Sequence, residues 1–379
     1  TPARPSAKIR SCSGQTDSFT ALANSLLFSG GARMDRNGKM DTQPTIAVCI
    51  PCYKATATIL QVLESVGPEV SRIYVIDDAC PESTADYVEQ YYSDTRLTVI
   101  RNEINLGVGG AVVQGYRAVL NDDIDIAVKI DSDGQMDPSL VPYLTSSIAS
   151  GSADYAKGCR FYSLKDMQSM PYVRLLGNAA LSIINKLTSG YWTVVDPTNG
   201  FTAIHRAALQ QLPLNRISQG YFFESDMLYR LSTIRAVVKD VPMASVYKDE
   251  ESQLRISHVL FKFPPLYARA FVKRILYCYF LRDFNAVSLH FLIAMALLIP
   301  GTFWGSYHWW KSIETGVTAT TGTVMLAVLP LILGFQFLLG AIQGDMAHQP
   351  DEPVQKTTDR TGRRRQMSMQ TTNGSRNRR

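Results

Sequence analysis

The segment IDIAVKIDSDGQ, residues 124–135, joins an apolar, β-branched run to a short acidic loop. The run predicts a buried strand over Ile124–Ile130, and the loop begins where that strand ends. Because alternate side chains of an extended chain share a face, Asp131 and Asp133 can converge on one point, where Gln135 offers a neutral oxygen. Two carboxylates this close repel each other unless a cation joins them, and hard oxygen ligands suit Mg²⁺ or Mn²⁺ that also contacts phosphate.

Strand and helix patterns alternate on both sides of this segment. The other predicted strands are Ile46–Ile50, Arg72–Ile76 and Leu97–Arg101, and the predicted helices are Thr58–Val66, Thr84–Tyr91 and Val108–Leu120. Such alternation predicts an α/β fold with a mostly parallel sheet flanked by helices, and ligands of such sheets bind beyond the carboxyl ends of the strands. Distinctive side chains follow three of these ends, at residues 51–53, 77–78 and 131–133. Taken alone, residues 131–133 are more often a polar loop with Asx-turn caps, but their place at this edge favours the metal site.

Two neighbouring motifs lie at the same predicted edge. Aspartate commonly caps a following helix, but the next helix is expected to begin after Pro81. Both Asp77 and Asp78 would then be free to accept hydrogen bonds from a ribose or base. The turn Asn105–Gly110 opens a helix with small residues that permit close approach of a ligand. It lacks the Walker lysine and the Rossmann glycine spacing, so ATP hydrolysis and hydride transfer lose support.

Two long stretches contain no Asp, Glu, Lys or Arg, and they run from Phe284 to Trp310 and from Thr315 to Gly344. A membrane-spanning helix needs roughly 20 mostly apolar residues, and Ala286–Trp304 and Thr323–Ile342 meet that requirement. Soluble core helices rarely stay uncharged for so long, so we predict a membrane hairpin joined near residues 311–314. Lys and Arg are frequent before the hairpin and in the tail after it, which predicts that the α/β domain and both termini face the cytoplasm.

These patterns divide the chain into a disordered leader (1–44), an α/β domain (45–255), interfacial amphipathic helices (256–285), a transmembrane hairpin (286–345) and a basic, disordered tail (346–379). The interfacial segment mixes aromatic and basic residues, and we expect it to break near Pro264–Pro265. The chain has a net charge of +5, and residues 350–379 alone hold eight basic and three acidic residues. The folded part is therefore neutral, so a nucleic-acid partner is not expected, whereas the tail arginines suit anionic membrane lipids.

Four motifs occur in a fixed order: Ile50-Pro51-Cys52-Tyr53, Val75-Ile76-Asp77-Asp78, Asn105-Leu106-Gly107 and Asp131-Ser132-Asp133-Gly134-Gln135. This order resembles the inverting family 2 glycosyltransferases, which have a GT-A nucleotide-sugar-binding fold. The branch it looks most like contains dolichyl-phosphate mannose synthases and bacterial undecaprenyl-phosphate sugar transferases with C-terminal membrane helices. The resemblance covers about Thr45–Asp345. It implies transfer of one sugar from a nucleotide sugar donor to a polyprenyl phosphate acceptor, with inversion.

On the donor side, the resemblance implies a role for each matching residue. Asp131, Asp133 and Gln135 would hold Mg²⁺ or Mn²⁺ on the nucleotide diphosphate, with Asp133 as a catalytic residue. The nucleoside pocket would be lined by Pro51, Tyr53, Asp77 and Asp78.

On the acceptor side, Gly158-Cys159-Arg160 stands where relatives carry Gly-Ser-Arg. A helix then supplies Arg174 and Asn178 at the i,i+4 spacing. Arg160 and Arg174 together could form a bidentate clamp for the lipid phosphate, although either arginine alone also fits surface ion pairing.

The resemblance also assigns two residues nearer the membrane segments. Asp226 could act as a base or orient the clamp, and we favour orientation. Whether Arg255 reaches the donor phosphates is left open, because Gln253 replaces a basic residue of the relatives. A phosphate monoester has its second pKa at about 6, so it is already an anionic nucleophile at neutral pH and needs no strong base.

Several other interpretations compete with this one. They are a family 2 enzyme acting on a hydroxyl of a lipid-linked or surface glycan, and a non-catalytic nucleotide-sugar-binding membrane subunit. A processive synthase would need more membrane spans and a Gln-x-x-Arg-Trp segment, neither of which is present. A redox site at Cys49–Cys52 is less favoured because its first cysteine lies inside the strand pattern. A homo-oligomer is compatible with the sequence.

Overall fold

A computed structural model of the chain describes residues 43–161, 172–243 and 256–358. Their seven strands form one mixed sheet in the order β3-β2-β1-β4-β6-β5-β7. The strands are β1 (Ile46–Cys52), β2 (Arg72–Asp77), β3 (Leu97–Arg101), β4 (Ile126–Lys129), β5 (Tyr155–Cys159), β6 (Thr202–His205) and β7 (Val238–Pro242). The predicted leader lies almost wholly outside the described residues.

Helices lie on both faces of the sheet and continue beyond it toward the C-terminus. They are α1 (Ile59–Glu64), α2 (Thr84–Tyr91), α3 (Gly107–Asn121), α4 (Val141–Ala149), α5 (Tyr172–Ser189), α6 (Arg206–Leu209), α7 (Phe223–Thr233), α8 (Ile256–Leu276), α9 (Ala286–Thr315) and α10 (Thr321–Ala347). Short 3₁₀ turns occupy Pro138–Leu140 and Leu214–Arg216, and a π-helical turn, Tyr277–Arg282, follows α8. The predicted α/β fold with its flanking helices is confirmed.

The strand directions bring several loops to one edge of the sheet. Strands β1 to β4 are parallel, whereas β6 runs antiparallel to β4, with Lys129 opposite Thr202. The loop that precedes β6 therefore lies beside the loop that follows β4. Strand β5 is antiparallel to β6, with Lys157 also opposite Thr202, so the carboxyl end of β5 reaches the same edge. This edge is where ligands bind in open α/β sheets.

The two faces of the sheet hold separate apolar clusters. Every residue of β1 is buried, as expected for a central parallel strand covered on both faces. Ala47 and Cys49 belong to the cluster that contains residues of α3 and α7. Val48 and Ile50 belong to the opposite cluster, with residues of α1 and α4. The alternation of side chains in β1 thus fixes which helices cover each face.

The hairpin is present as two long apolar helices. Both α9 and α10 are long and apolar enough to cross a membrane, and they pack along each other. Both exceed the predicted limits, and the predicted linker at residues 311–314 lies inside α9. That helix ends at Thr315 because Gly316 adopts a left-handed conformation, with φ of 69°.

The break predicted at Pro264–Pro265 is wrong. Helix α8 is continuous through both prolines, which lie on its exposed side. The carbonyls that lose their N–H partners lie one turn earlier on the same side of the helix. They are therefore not sealed in the core, which makes the missing hydrogen bonds tolerable.

The predicted disordered tail begins too early, at residue 346. Residues 346–358 are ordered against the α/β domain. Val354 is buried, and its N–H donates to Asp154 Oδ2 at 2.9 Å. Gln355 N donates to Asp154 Oδ1 at 3.0 Å, and its side chain donates to the carbonyls of Ile148 and Ala153. This segment, residues 350–358, is called the C-terminal strap. It brings the chain after α10 back to Asp154, the residue that precedes β5.

We predict that Asp154→Asn destabilises the fold by about 2–4 kcal/mol. Asp154 is fully buried and also accepts from Val237 N at 2.9 Å, so the amide nitrogen would face backbone donors that now meet a carboxylate. Guanidinium unfolding of the detergent-solubilised chain measures the change. Asp123→Asn is the matched control, because Asp123 forms an exposed ion pair with Arg206 and such pairs contribute little. Equal unfolding free energies for the two variants would contradict the structural role of Asp154.

Candidate functional site

A buried lysine lies directly behind the predicted metal-binding loop. Lys129 Nζ contacts Asp131 Oδ1 at 2.5 Å, Glu224 Oε1 at 3.2 Å and the Gly200 carbonyl at 3.3 Å. Burial lowers the pKa of Lys129, but Asp131 and Glu224 together outweigh it, so the pKa lies above its ordinary value. The lysine therefore stays charged and fixes one oxygen of Asp131.

The rest of the loop is held by short-range hydrogen bonds. Asp133 Oδ1 accepts from Gln135 N at 2.9 Å, which is an Asx turn. The hydroxyl of Thr58 donates to the Ser132 carbonyl at 2.6 Å. The local Asx turn is thus observed, and the same turn presents both aspartates, half-buried, at the edge of the sheet, where the metal site stays a prediction.

A second buried lysine holds the loop that precedes β6. The Lys157 ammonium donates to the Asn199 carbonyl. Burial lowers the pKa of Lys157 to about 8, against the opposing effects of Glu224, Asp196 and Asp240. Lys129 and Lys157 thus contact the 196–201 loop from β4 and β5, the two strands that flank β6.

Gly200 is the point of closest approach between the two loops. A Cβ added there would lie 2.3 Å from Asp131 Oδ2 and 2.6 Å from Lys129 Nζ. No real side chain tolerates such distances, so only glycine allows the lysine and the aspartate to meet beneath this loop.

The expectation that both oxygens of Asp77 are free is wrong, because each accepts a backbone N–H of the protein, whereas the place of Asp77 in a nucleoside pocket stays a prediction. Asp77 Oδ1 accepts from Cys80 N and Oδ2 from Ala85 N, each at 2.7 Å. It therefore caps the start of α2, which begins close enough to the strand for one side chain to bridge the gap.

Asp78 is also engaged, although less completely. Its Oδ1 accepts from Asn102 Nδ2 and from Leu106 N, each at 2.8 Å. It thereby positions the turn that opens α3. Pro51 is buried inside β1, whereas Tyr53 is 49% exposed beside it. Of the four predicted nucleoside-pocket residues, Tyr53 is the one that presents a large accessible surface.

Arg160 does not lie open as half of a phosphate clamp. Its Nε and Nη2 donate to the two oxygens of buried Asp196 at 2.8 and 3.1 Å. This fork anchors the end of β5 to the 196–201 loop, as the ion-pair interpretation allowed. The ion pair with Asp196 is thus observed, and the clamp that Arg160 would form with Arg174 stays a prediction.

Arg174 and Asn178 lie one turn apart on α5, as their spacing predicted. The side chain of Arg174 and all of Arg255 fall outside the described residues. The same helix exposes apolar side chains, with Leu176 at 71% and Ile183 at 59%. Sequence reasoning missed this stripe, although its spacing of seven residues marks one face of a helix.

Asp226 has partners other than the predicted clamp. Its Oδ2 accepts from Arg230 Nε and from Ser218 N, each at 2.8 Å. These bonds fix the start of α7 and the loop before it. The acidic residue of this segment that reaches the Asp131 loop is Glu224, which the sequence did not single out.

The burial of both cysteines contradicts the alternative of a redox site at Cys49–Cys52. Cys49 and Cys52 are both buried in β1, and burial raises the pKa of each thiol. A reactive cysteine needs an accessible thiolate, which neither residue offers.

Among the described residues, no group of three or more His, Cys, Asp and Glu side chains surrounds one point. A cation at this edge would therefore take few protein ligands, from Asp131, Asp133 and Gln135. Two partly exposed carboxylates and an amide fit an Mg²⁺ or Mn²⁺ ion that completes its shell with phosphate and water.

Comparison with known proteins gives consistent matches. Residues 47–212 match glycosyl transferase family 2. A UDP-N-acetylglucosamine–dolichyl-phosphate N-acetylglucosaminyltransferase of Methanococcus voltae is 26% identical over 60% of this chain and 96% of its own length. An undecaprenyl-phosphate mannosyltransferase of Micrococcus luteus is 28% identical over 54% of this chain and 84% of its own. The resemblance inferred from the motifs is thus confirmed.

Solved structures match more weakly. Glucosyl-3-phosphoglycerate synthase from Mycobacterium tuberculosis has a TM-score of 0.47 at 20% identity, over 69% of this chain and 84% of that one.

We predict that Gly200→Ala lowers stability by about 1–3 kcal/mol, because the added carbon would push Asp131 away from Lys129. Nucleotide binding should weaken in parallel, since the loop is displaced. Thermal unfolding and calorimetric titration with nucleoside diphosphates measure the two effects. Gly220→Ala is the control, because a Cβ there meets nothing within 4 Å. Identical behaviour of the two variants would show that the Gly200 contact is unimportant.

The depressed pKa of Lys157 predicts a pH dependence of stability. Between its folded pKa of about 8 and its ordinary value of 10.5, the unfolded chain binds a proton that the folded chain has lost. The contribution of Lys157 to stability therefore rises with pH across this window. The unfolding free energy of wild type minus that of Lys157→Met should increase from pH 8 to 10. For the exposed Lys239→Met the difference should stay flat; a flat line for both would refute the shift.

Proposed function

Since residues 47–212 form a glycosyl transferase family 2 domain, we propose that this glycosyltransferase moves a single sugar from a nucleotide sugar to a polyprenyl phosphate, with inversion at the anomeric carbon. The names of two relatives support the acceptor class, since one acts on dolichyl phosphate and the other on undecaprenyl phosphate. The sugar and the nucleotide are not specified by this proposal.

The donor is proposed to bind at the edge formed by the β4 and β6 loops. Asp131, Asp133 and Gln135 would hold a divalent cation, Mg²⁺ or Mn²⁺, together with the donor diphosphate. The ion would neutralise the charge that develops on the leaving nucleoside diphosphate. Lys129 Nζ holds Asp131 Oδ1 at 2.5 Å, so the loop would need little reorganisation when the donor binds.

The observation that carries the proposal is the bonding between α5 and the membrane segment. Asn185 Nδ2 donates to the Tyr267 hydroxyl at 2.8 Å, and Arg274 Nη2 donates to the Leu187 carbonyl at 2.9 Å. Helix α5 carries Arg174 and Asn178 at its other end. These bonds join the helix that carries the proposed acceptor residues to the helix that precedes the hairpin, which supports an acceptor that comes from the membrane.

The proposed reaction needs no strong general base. The acceptor phosphate is already ionised at neutral pH, so its oxygen can attack the anomeric carbon directly. His205 lies at the start of α6, where its Nδ1 accepts from Ala207 N at 3.1 Å. Asp226 as a base or orienting group stays a prediction, with Arg230 as its nearest ionic partner.

We further propose that the protein crosses the membrane twice with its catalytic domain and both ends in the cytoplasm. The strap returns from α10 to the same domain that precedes α9, which supports both ends lying on one side. The excess of Lys and Arg around the hairpin supports the cytoplasmic side.

The test is glycosyl transfer by the purified full chain in phospholipid nanodiscs. Polyprenyl phosphate and a panel of UDP- and GDP-sugars are supplied, and lipid products are identified by mass spectrometry. We expect one donor to give a glycosylated polyprenyl phosphate, with activity lost in EDTA and restored by Mg²⁺ or Mn²⁺. Asp131→Asn and Asp133→Asn should each lower the rate by about 100-fold or more.

Asp137→Asn is the matched control, because this exposed aspartate in the same loop only caps a 3₁₀ turn, accepting from Ser139 N at 2.9 Å. It should retain most of the activity. Transfer only to hydroxyl acceptors would favour the glycan-modifying alternative. Donor binding without turnover on any acceptor would favour a non-catalytic subunit.

A further inference from the structure

A cavity of about 290 Å³ lies where the α/β domain meets the hairpin. Its walls come from the ends of α5 and α7, the last turn of α8, the π-helical turn, the start of α9 and the end of α10. Helix α9 begins at Ala286 and α10 ends at Ala347, so the cavity lies at the level where both apolar helices would leave the membrane. This is the depth of lipid headgroups.

Three arginines line this cavity: Arg235, Arg274 and Arg282. The buried Arg274 is committed to the protein, since it donates to both oxygens of Asp345 at 2.7 and 3.0 Å. Arg282 is exposed, and its Nη1 donates to the Thr233 carbonyl at 2.7 Å, which fixes the position of its guanidinium. Arg235 is exposed, and within the described ranges its guanidinium has no hydrogen-bonded partner.

The charges in the wall do not cancel. Three arginines face two aspartates, so the wall carries one net positive charge. Arg274 pairs with Asp345, and Asp283 accepts from Asn285 Nδ2 at 3.2 Å. The thiol of Cys278, also in the wall, has its pKa raised by burial, while Arg274, Arg282 and Arg235 each act to lower it. All three guanidinium groups thus act electrostatically on the Cys278 thiol. The guanidinium groups of Arg235 and Arg282 keep N–H donors available to a ligand.

The backbone at Arg235 explains why an arginine at this position is unusual. Its φ is 56°, in the left-handed region that side chains other than glycine, asparagine and aspartate adopt with strain. Arg235 follows the C-cap of α7, where Ala236 N donates to the Leu231 carbonyl and Arg235 N to the Ser232 carbonyl, and glycine is the usual residue at this place. A glycine would fit this turn better, but it would offer the cavity no cation.

We propose that this cavity binds the phosphate group of an anionic membrane lipid, at a site separate from that of the acceptor. Arg174 and Ser189, at opposite ends of α5, are about 22 Å apart along the helix at about 1.5 Å per residue. A lipid phosphate at Arg235 and Arg282 would bridge the end of α7 to the π-helical turn. It would thereby fix the α/β domain against the membrane, whichever reaction that domain performs.

Native mass spectrometry of the detergent-solubilised full chain tests the site. The chain is incubated with phosphatidylglycerol or with zwitterionic phosphatidylcholine, and the retained lipid is counted. We expect wild type to retain phosphatidylglycerol preferentially, and the double variant Arg235→Gln, Arg282→Gln to lose that preference. The matched control Arg269→Gln, Lys273→Gln removes two exposed cations of α8 outside the cavity and should retain it. Equal losses in both double variants, or no preference in wild type, would overturn the proposal.

Arg235→Gly separates binding from folding. Relief of the left-handed strain should raise the melting temperature, while phosphatidylglycerol retention falls. Unchanged retention in this variant would contradict the role of Arg235. Excess inorganic phosphate distinguishes the sources of the ligand: lipid retained in its presence supports the membrane source. Displacement of the lipid, with phosphate raising the melting temperature of wild type but not of the double variant, would assign the cavity to a free phosphate instead. Because the readout is lipid retention, its outcome is independent of the transfer assay.

Discussion

A buried ammonium group organises the donor edge of this protein. Lys129 lies in the central strand β4 with its side chain fully buried, a location that is costly for a charge unless it is paired and hydrogen-bonded. Its partners come from three separate segments, namely Asp131 after β4, Gly200 before β6 and Glu224 in α7. Satisfying one cation therefore forces three segments to meet at one place. The orientation of the loop that would hold donor and metal is a consequence of that requirement.

A second buried charge joins separate segments in the same way, at the base of the two apolar helices. Asp345, near the end of α10, accepts from Arg274 of α8, from Trp192 Nε1 at 2.9 Å and from the Tyr279 hydroxyl. A carboxylate at the end of an apolar helix would otherwise remain in water or lipid headgroups. Its burial ties the hairpin to the π-helical turn and to the loop after α5. Buried polar contacts thus organise both the carboxyl edge of the sheet and the junction between the α/β domain and the two apolar helices.

The sequence was sufficient for features that depend on local pattern. The alternation of strands and helices, the parallel core and the two apolar helices follow from periodicity and length, and the family follows from the order of four motifs. Contacts between residues that lie far apart in the sequence could not be predicted from it. The sequence does not reveal that Asp77 caps α2, because Thr84 lies seven residues after it, nor that Asp196 is the ionic partner of Arg160, because the two lie far apart in sequence. The sequence shows a lysine, Lys129, inside a β-branched run. Its role could not be predicted, because Glu224 comes close to it only in the folded protein. The ordered strap likewise depends on a distant carboxylate, Asp154.

Helix α5 has two halves with different surroundings. Toward its C-terminus, Asn185, Thr188 and Ser189 are buried against the protein. Toward its N-terminus, Leu176 is largely exposed, on the stretch that carries Arg174 and Asn178. An exposed apolar stripe is unfavourable in water and favourable at a membrane surface. The exposed half of α5 is therefore a further reason to propose that this helix lies against a lipid surface and that the acceptor comes from that surface.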